Sequence, residues 1–103
     1  MTTIEILKKA RELLSNPASW TQNVGARDIS GQAVDVMRES AVCFCLAMAL
    51  VRITAETCPD GFPEALGFEY WQDAHYWNDA PERTHAEVLQ RFDEAIARLE
   101  AAG

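Results

Sequence analysis

The feature that most constrains this chain is an uninterrupted apolar run of eleven residues, from Ala41 to Val51. A helix without a polar face has to be surrounded by other elements, because no side of it favours water. The run is too short to span a bilayer, which needs about 20 apolar residues. We therefore expect a buried central helix over about 40–56, with Ser40 as its N-cap and no membrane segment.

The length and composition are those of one small globular domain covering residues 1–103. Hydrophobic residues make up 49% of the chain and charged residues 24%, which argues against disorder. The first residues show no basic segment followed by an apolar one, so no secretory signal is expected. The three cysteines, an odd number, are then expected to stay reduced in the cytoplasm.

The net charge of −7 is concentrated in one half of the chain. Residues 56–103 contain eleven acidic and three basic side chains, whereas residues 1–55 have a net charge of +1. An acidic half repels phosphate, which argues against direct nucleic-acid binding. The same charge fits a basic partner or mimicry of nucleic acid, although acidic residues more often serve only solubility.

Two amphipathic helices are predicted at the ends of the chain. The first covers about 2–14, where Thr2 and Glu5 fit a capping box ahead of an apolar stripe. The last begins at a second capping box, Thr84 and Glu87, and continues with a stripe from Val88 to Leu99. A further helix is predicted between them, over about 63–75, because proline suits a first helical turn.

Between residues 20 and 36 the helical period disappears. Residues 20–24 are typical of a strand, and residues 32–36 alternate polar and apolar. The segment from Asp28 to Gly31 fits a type I turn. We therefore predict a small β-hairpin over about 20–36, with Trp20 and Val34 facing the helices. The predicted fold is α+β and mostly helical, with about four helices around the central one.

Several different short motifs lie along about three-quarters of the chain. The residues concerned are Trp20-Thr21-Gln22, Ala26-Arg27-Asp28, Gly31, Val34, Cys45, Ala49, Trp77-Asn78-Asp79, Arg83-Thr84 and Glu87-Val88. With these residues the chain resembles a family of short bacterial and phage proteins, a domain of unknown function with W-C-x-x-G-A and W-N-D-x-x-x-R-T motifs. Phe44 stands where that pattern has tryptophan, and Met48 where it has glycine. The resemblance implies no activity.

The segment from Trp77 to Thr84 is the candidate binding site. Its donors and acceptors, with two residues of the predicted turn, are Trp77, Asn78, Asp79, Arg83, Arg27 and Asp28. The competing interpretation is structural, because Asn, Asp and Thr before a helix usually cap it. On that interpretation Asp79 caps a turn through Pro81-Glu82, Arg83 bridges to Asp28 or Asp79, and Trp77 fills the core.

No catalytic residue, metal ligand or cofactor is assigned from the sequence. Cys45 lies in the apolar run, where burial makes a thiol less reactive. Cys43 and Cys45 would be about 200° apart around a helix and could not bind one metal together. His75 and His85 are ten residues apart, and no glycine-rich phosphate-binding motif is present.

Aromatic residues are concentrated in one segment. Residues 62–77 contain six of the nine aromatics, more than one side of a short helix can easily bury. The first hypothesis is therefore a small noncatalytic binding or protein-interaction module, with a protein partner or a homodimer using this segment and the adjoining loop from Trp77 to Thr84. The alternatives are a small enzyme with a polar site at Asn78, Asp79 and Arg83, and an acidic inhibitor that mimics nucleic acid.

Overall fold

A computed structural model describes residues 1–57 and 60–103. Within these ranges the helices are α1 (Thr3–Leu13), α2 (Leu46–Thr54), α3 (Phe62–Ala65), α4 (Trp71–Asp79) and α5 (His85–Ala102). Two short strands, β1 (Ala26–Arg27) and β2 (Cys43–Phe44), form a small antiparallel sheet. The predicted α+β, mostly helical fold class is confirmed.

Helix α2 lies at the centre of the fold. It packs against α1 and α4, and α1 also packs against α5. Five of its nine residues are buried, among them Leu46 and Leu50, which are completely so. Most of the apolar run lies inside the protein as expected, but Val42 is 42% exposed and Met48 is half-buried. None of the helices in the described ranges has the length and apolarity needed to cross a membrane.

The central helix is shorter than predicted. It begins at Leu46, so Ser40 is not its N-cap, and it ends at Thr54. Cys45 is the N-cap, with its Sγ accepting the amide of Met48 at 3.4 Å. The start of the apolar run forms β2 instead. A short run that is apolar on every side fits a buried strand as well as a helix, so hydrophobicity alone could not separate the two.

The β-structure also differs from the predicted hairpin. The turn from Asp28 to Gly31 is present, and the Val34 amide donates to Ala26 across it. However, β1 pairs with β2, and Trp20 makes only an isolated parallel bridge to Phe44. The backbone of a buried strand needs hydrogen-bond partners on its edges. The partners of β2 are β1 on one side and residues 20–21 on the other.

The helix predicted over 63–75 is split into α3 and α4. Gly67, with φ +88°, lies shortly after the end of α3 in a left-handed conformation that suits glycine. Helix α4 then begins at Trp71, after the Tyr70 amide donates to Asp73 at 3.1 Å. The predicted helices at the two ends are confirmed, and Thr84 and Glu87 form the expected capping box.

Candidate functional site

Asn78 lies in the last turn of α4 and is completely buried. Its Oδ1 accepts hydrogen bonds from the indole of Trp20 at 2.7 Å and from the amide of Leu46 at 3.1 Å. Its Nδ2 donates to the carbonyl of Thr21 at 3.1 Å and to Asp79 at 2.9 Å. The whole side-chain amide is therefore used to join α4, the start of α2 and the segment at 20–21.

Asp79 is also used inside the fold. Its Oδ1 accepts the amide of Asn23 at 2.8 Å. Close by, the Gln22 side chain donates to the carbonyls of Asn78 and Ala80, at 3.0 and 2.9 Å. These bonds attach residues 22–23 to the C-terminal end of α4, where helix carbonyls lack partners. The predicted cap by Asp79 on the turn at 81–82 is wrong, because Asp79 is itself helical and bonds Asn23.

Trp77 and Arg83 form a second cluster, packed against α5. The Arg83 guanidinium lies 4.0 Å from the centre of the Trp77 ring, and its Nε donates to the Trp77 carbonyl at 2.9 Å. Its Nη1 pairs with Glu87 at 3.2 Å. The predicted bridge from Arg83 to Asp28 or Asp79 is therefore wrong. The guanidinium instead bonds to the Trp77 carbonyl near the end of α4 and to the Glu87 carboxylate in the first turn of α5.

Arg91 continues this cluster on its other side. Its guanidinium lies 4.6 Å from the ring centre of Trp77 and 4.5 Å from that of Phe68. Its Nη1 donates to the carbonyl of Leu66 at 3.1 Å, and burial lowers the pKa of Arg91. A shallow depression beside these side chains is also lined by Glu87 and Glu94. The carboxylates there oppose the two cations, so the depression has no strong preference for an anion.

Arg27 and Asp28 stabilise the turn that they begin. Arg27 donates to the Thr21 hydroxyl at 2.8 Å and to the Gly31 carbonyl at 3.0 Å. The Asp28 carboxylate accepts from the hydroxyl and the amide of Ser30, and these bonds hold its pKa below the ordinary value. Both side chains are therefore occupied within residues 21–32.

The six candidate residues do not line one cavity. The structure divides them into Asn78 with Asp79, Trp77 with Arg83, and Arg27 with Asp28. Trp20, Gln22 and Arg91 also belong to these clusters. None of them was assigned to a site from the sequence. The W-T-Q motif was a signal for the first two, whereas nothing in the sequence indicated the stacking of Arg91.

Among the described residues, no hydrogen bond joins a cysteine side chain to a histidine side chain. Burial raises the pKa of the Cys45 thiol, which favours the unreactive protonated form. The His85 ring lies beside Trp20, with its Nε2 2.5 Å from the Leu14 carbonyl at the end of α1. Across residues 1–57 and 60–103, no three Cys, His, Asp or Glu side chains cluster as metal ligands would. Cys58 is outside the described residues.

A different surface carries exposed aromatic residues. Tyr70 and Tyr76 are 64% and 67% exposed, whereas Phe62 and Phe68 are buried and anchor the segment. A cleft between α3 and the start of α4 is lined in part by Pro63, Glu64, Glu69, Tyr70 and Trp71. We name the half-buried Trp71 and the exposed side chains here, Glu64, Glu69, Tyr70, Asp73 and Tyr76, the aromatic-acidic surface.

The comparison with protein families identifies the family to which the chain belongs, and its function is unknown. The model of a family of unknown function, DUF6197, matches residues 1–98. Comparisons with curated proteins and with solved structures gave no match. The expected resemblance to a domain of unknown function is confirmed, and a bacterial or phage origin stays a prediction. The chain belongs to the family of unknown function DUF6197.

Proposed function

We propose that this protein is a small noncatalytic interaction module that binds a protein partner through the aromatic-acidic surface. The observation that carries the proposal is the exposure of Tyr70 and Tyr76, at 64% and 67%, beside several carboxylates. Tyrosine is enriched at protein interfaces, where its ring is buried and its hydroxyl still finds a partner. The buried Phe62 and Phe68 support this surface from below.

The state of the polar candidate residues favours a noncatalytic function. An enzyme site at Asn78, Asp79 and Arg83 would need these groups to converge on a cavity. Asn78 is instead completely buried with both polar atoms bonded, and the Arg83 guanidinium bonds to Trp77 and Glu87 rather than to Asn78 or Asp79. Their arrangement is explained by the packing of α4, so we favour binding over catalysis.

The distribution of acidic residues favours a protein partner over mimicry of nucleic acid. A mimic needs a continuous strip of free carboxylates, but α5 uses two of its carboxylates to hold α1. Asp93 pairs with Arg11 at 2.9 Å, and Glu100 pairs with Lys8 at 3.2 Å. The excess negative charge repels phosphate and so argues against nucleic acid as a partner.

We further propose that residues 1–103 act as one domain in the cytoplasm. The hydrophobic core supports one domain, because it joins Leu7 and Leu14 of α1 to Val88 and Phe92 of α5. Cys43 and Cys45 are buried free thiols, which is consistent with a reducing compartment.

The proposal is tested by affinity capture from cells that express the protein. The test variant is Tyr70→Ser/Tyr76→Ser, in which serine remains a favourable N-cap at position 70. The matched control, Ile29→Ser/Met37→Ser, removes two exposed apolar side chains elsewhere. We expect a partner that the parent and the control retain and that the tyrosine variant loses about tenfold or more.

Two further measurements complete this test. The thermal midpoints of both variants should stay close to that of the parent, because all four side chains are exposed. Sedimentation of the purified chain shows whether the partner is a second copy, in which case the tyrosine variant becomes monomeric. A partner that both variants retain, or that only the control loses, would place the contact elsewhere.

A further inference from the structure

We infer that the cleft between α3 and α4 receives a lysine or arginine side chain from a basic segment of the partner, an inference that rests on the proposed function. The cleft combines the rings of Tyr70 and Trp71 with the carboxylates of Glu64 and Glu69. Aromatic faces attract a cation placed over them, and carboxylates pair with it directly. An anionic or purely apolar ligand would not use the carboxylates.

The carboxylates at this cleft have no internal counterion. Within the described ranges, no lysine or arginine lies within salt-bridge distance of Glu64 or Glu69. In contrast, Glu87, Asp93 and Glu100 are each paired with a cation of the chain. Glu64 and Glu69, which line the cleft, are therefore among the carboxylates that no salt bridge neutralises in the described ranges.

The chain's own cations are mostly unable to fill this cleft in a second copy. Seven of the nine lysines and arginines donate hydrogen bonds inside the fold, namely Lys8, Arg11, Arg27, Arg52, Arg83, Arg91 and Arg98. Lys9 and Arg38 make no side-chain hydrogen bond within residues 1–57 and 60–103. Two scattered cations offer little to an acidic cleft, so charge complementarity favours a different, basic protein over a homodimer.

The wall of the cleft is fixed before any partner binds. Helix α3 is held by the buried side chains of Phe62 and Leu66. Its C-terminal end is held by Arg98, which donates to the carbonyl of Ala65, and by Arg91, which donates to that of Leu66. The backbone on the α3 side of the cleft is therefore held in place before a cation binds, which lowers the entropic cost of binding.

The inference is tested by NMR titration of the full chain, labelled with nitrogen-15, with an acetylated tetra-arginine amide. The matching tetra-citrulline peptide has nearly the same shape without the charge. We expect tetra-arginine to shift the amides of Glu64, Glu69 and Tyr70 and the indole N–H of Trp71. Tetra-citrulline should leave these signals in place, and added salt should weaken the binding.

A matched pair of variants separates this cleft from general attraction to an acidic protein. Glu64→Gln/Glu69→Gln should weaken tetra-arginine binding about fivefold, as expected for the loss of two exposed charge contacts. Glu56→Gln/Glu82→Gln removes the same charge from exposed positions outside the cleft and should change the affinity less than twofold. Equal weakening by both variants, or shifts spread over α5 instead, would overturn the inference.

The outcomes also distinguish this inference from the proposed function. If tetra-arginine does not shift the cleft signals while partner capture still depends on Tyr70 and Tyr76, the cationic occupant is wrong and the interaction surface stands. If partner capture is also independent of the two tyrosines, the interaction surface itself is wrong. If both tests succeed, the recognised segment of the captured partner is expected to be rich in lysine or arginine.

Discussion

The indole N–H of Trp20 donates a hydrogen bond of 2.7 Å to the side-chain oxygen of Asn78, across a sequence separation of 58 residues. The same oxygen accepts the amide of Leu46, at the first turn of α2. One buried amide thus joins three distant segments. The asparagine of the W-N-D motif therefore has a structural role in the fold.

Replacement of Asn78 by alanine should destabilise the protein strongly. The Trp20 indole and the Leu46 amide would lose their shared acceptor in a completely buried position. Unpaired buried polar groups cost about 1–3 kcal/mol each, so we expect the free energy of unfolding to fall by about 3 kcal/mol. In a thermal melt this is a decrease of roughly 10–20 °C.

The control for that melt is Gln72→Ala, an exposed position on the same helix, which should change stability by less than about 0.5 kcal/mol. A midpoint for Asn78→Ala within a few degrees of the parent would show that the amide is not needed for folding. The search for a ligand would then return to residues 77–84.

Arg83→Lys should destabilise the protein although it keeps the charge. Lysine cannot reproduce the guanidinium that stacks on Trp77 at 4.0 Å and donates to the Trp77 carbonyl at 2.9 Å. We expect a loss of about 1–2 kcal/mol, measured by chemical unfolding. Arg38→Lys, at an exposed position, is the control and should be neutral. Equal stabilities for the two variants would mean that Arg83 is not held for structure.

The capping box of α5 should make stability depend on pH. The Thr84 amide donates to Glu87, and this bond holds the pKa of Glu87 below its ordinary value of 4.5. The unfolded chain therefore takes up this proton first as the pH falls. The stabilisation is complete above the unfolded pKa and is lost as the pH falls through the lower, folded pKa.

This pH effect is measured with Glu87→Gln, because glutamine keeps an acceptor for the capping box and does not titrate. Thermal midpoints at about pH 6 and about pH 3 should differ less in the variant than in the parent. Asp28→Asn should act in the same direction, since the Ser30 hydroxyl and neighbouring amides lower the pKa of Asp28. Identical pH profiles for parent and variants would contradict the assignment.

Gly25 and Met48 should show energetic coupling. A Cβ atom added at Gly25 would lie 2.7 Å from Cγ of Met48, which is too close for both side chains to keep their positions. We expect Gly25→Ala to cost about 1–3 kcal/mol in the parent. The cost should be much smaller when Met48 is already alanine, which a double-mutant cycle measures. Additive effects would show that Met48 moves aside freely.

Much of the local structure was predictable from the sequence. The apolar stripes and the N-caps Thr2 and Thr84 defined α1 and α5, and the turn from Asp28 to Gly31 formed as expected. Of the two predicted capping boxes, only that of α5 formed in full, because the Glu5 carboxylate accepts from the Thr2 hydroxyl instead of the Thr2 amide. These features depend on side chains within about four residues of each other, so the chain order alone specifies them. The candidate site was harder to predict from the sequence, because its residues form hydrogen bonds with partners far along the chain.

The sequence by itself determined a mostly helical α+β fold with a mostly buried run at 41–51 and a helix near each end of the chain. Only the tertiary structure decided that this run divides at Cys45 into a strand and a helix, and that Asn78 lies inside while Tyr76 lies outside. The physical reason is that a buried backbone and a buried amide must find hydrogen-bond partners, and here those partners come from distant segments.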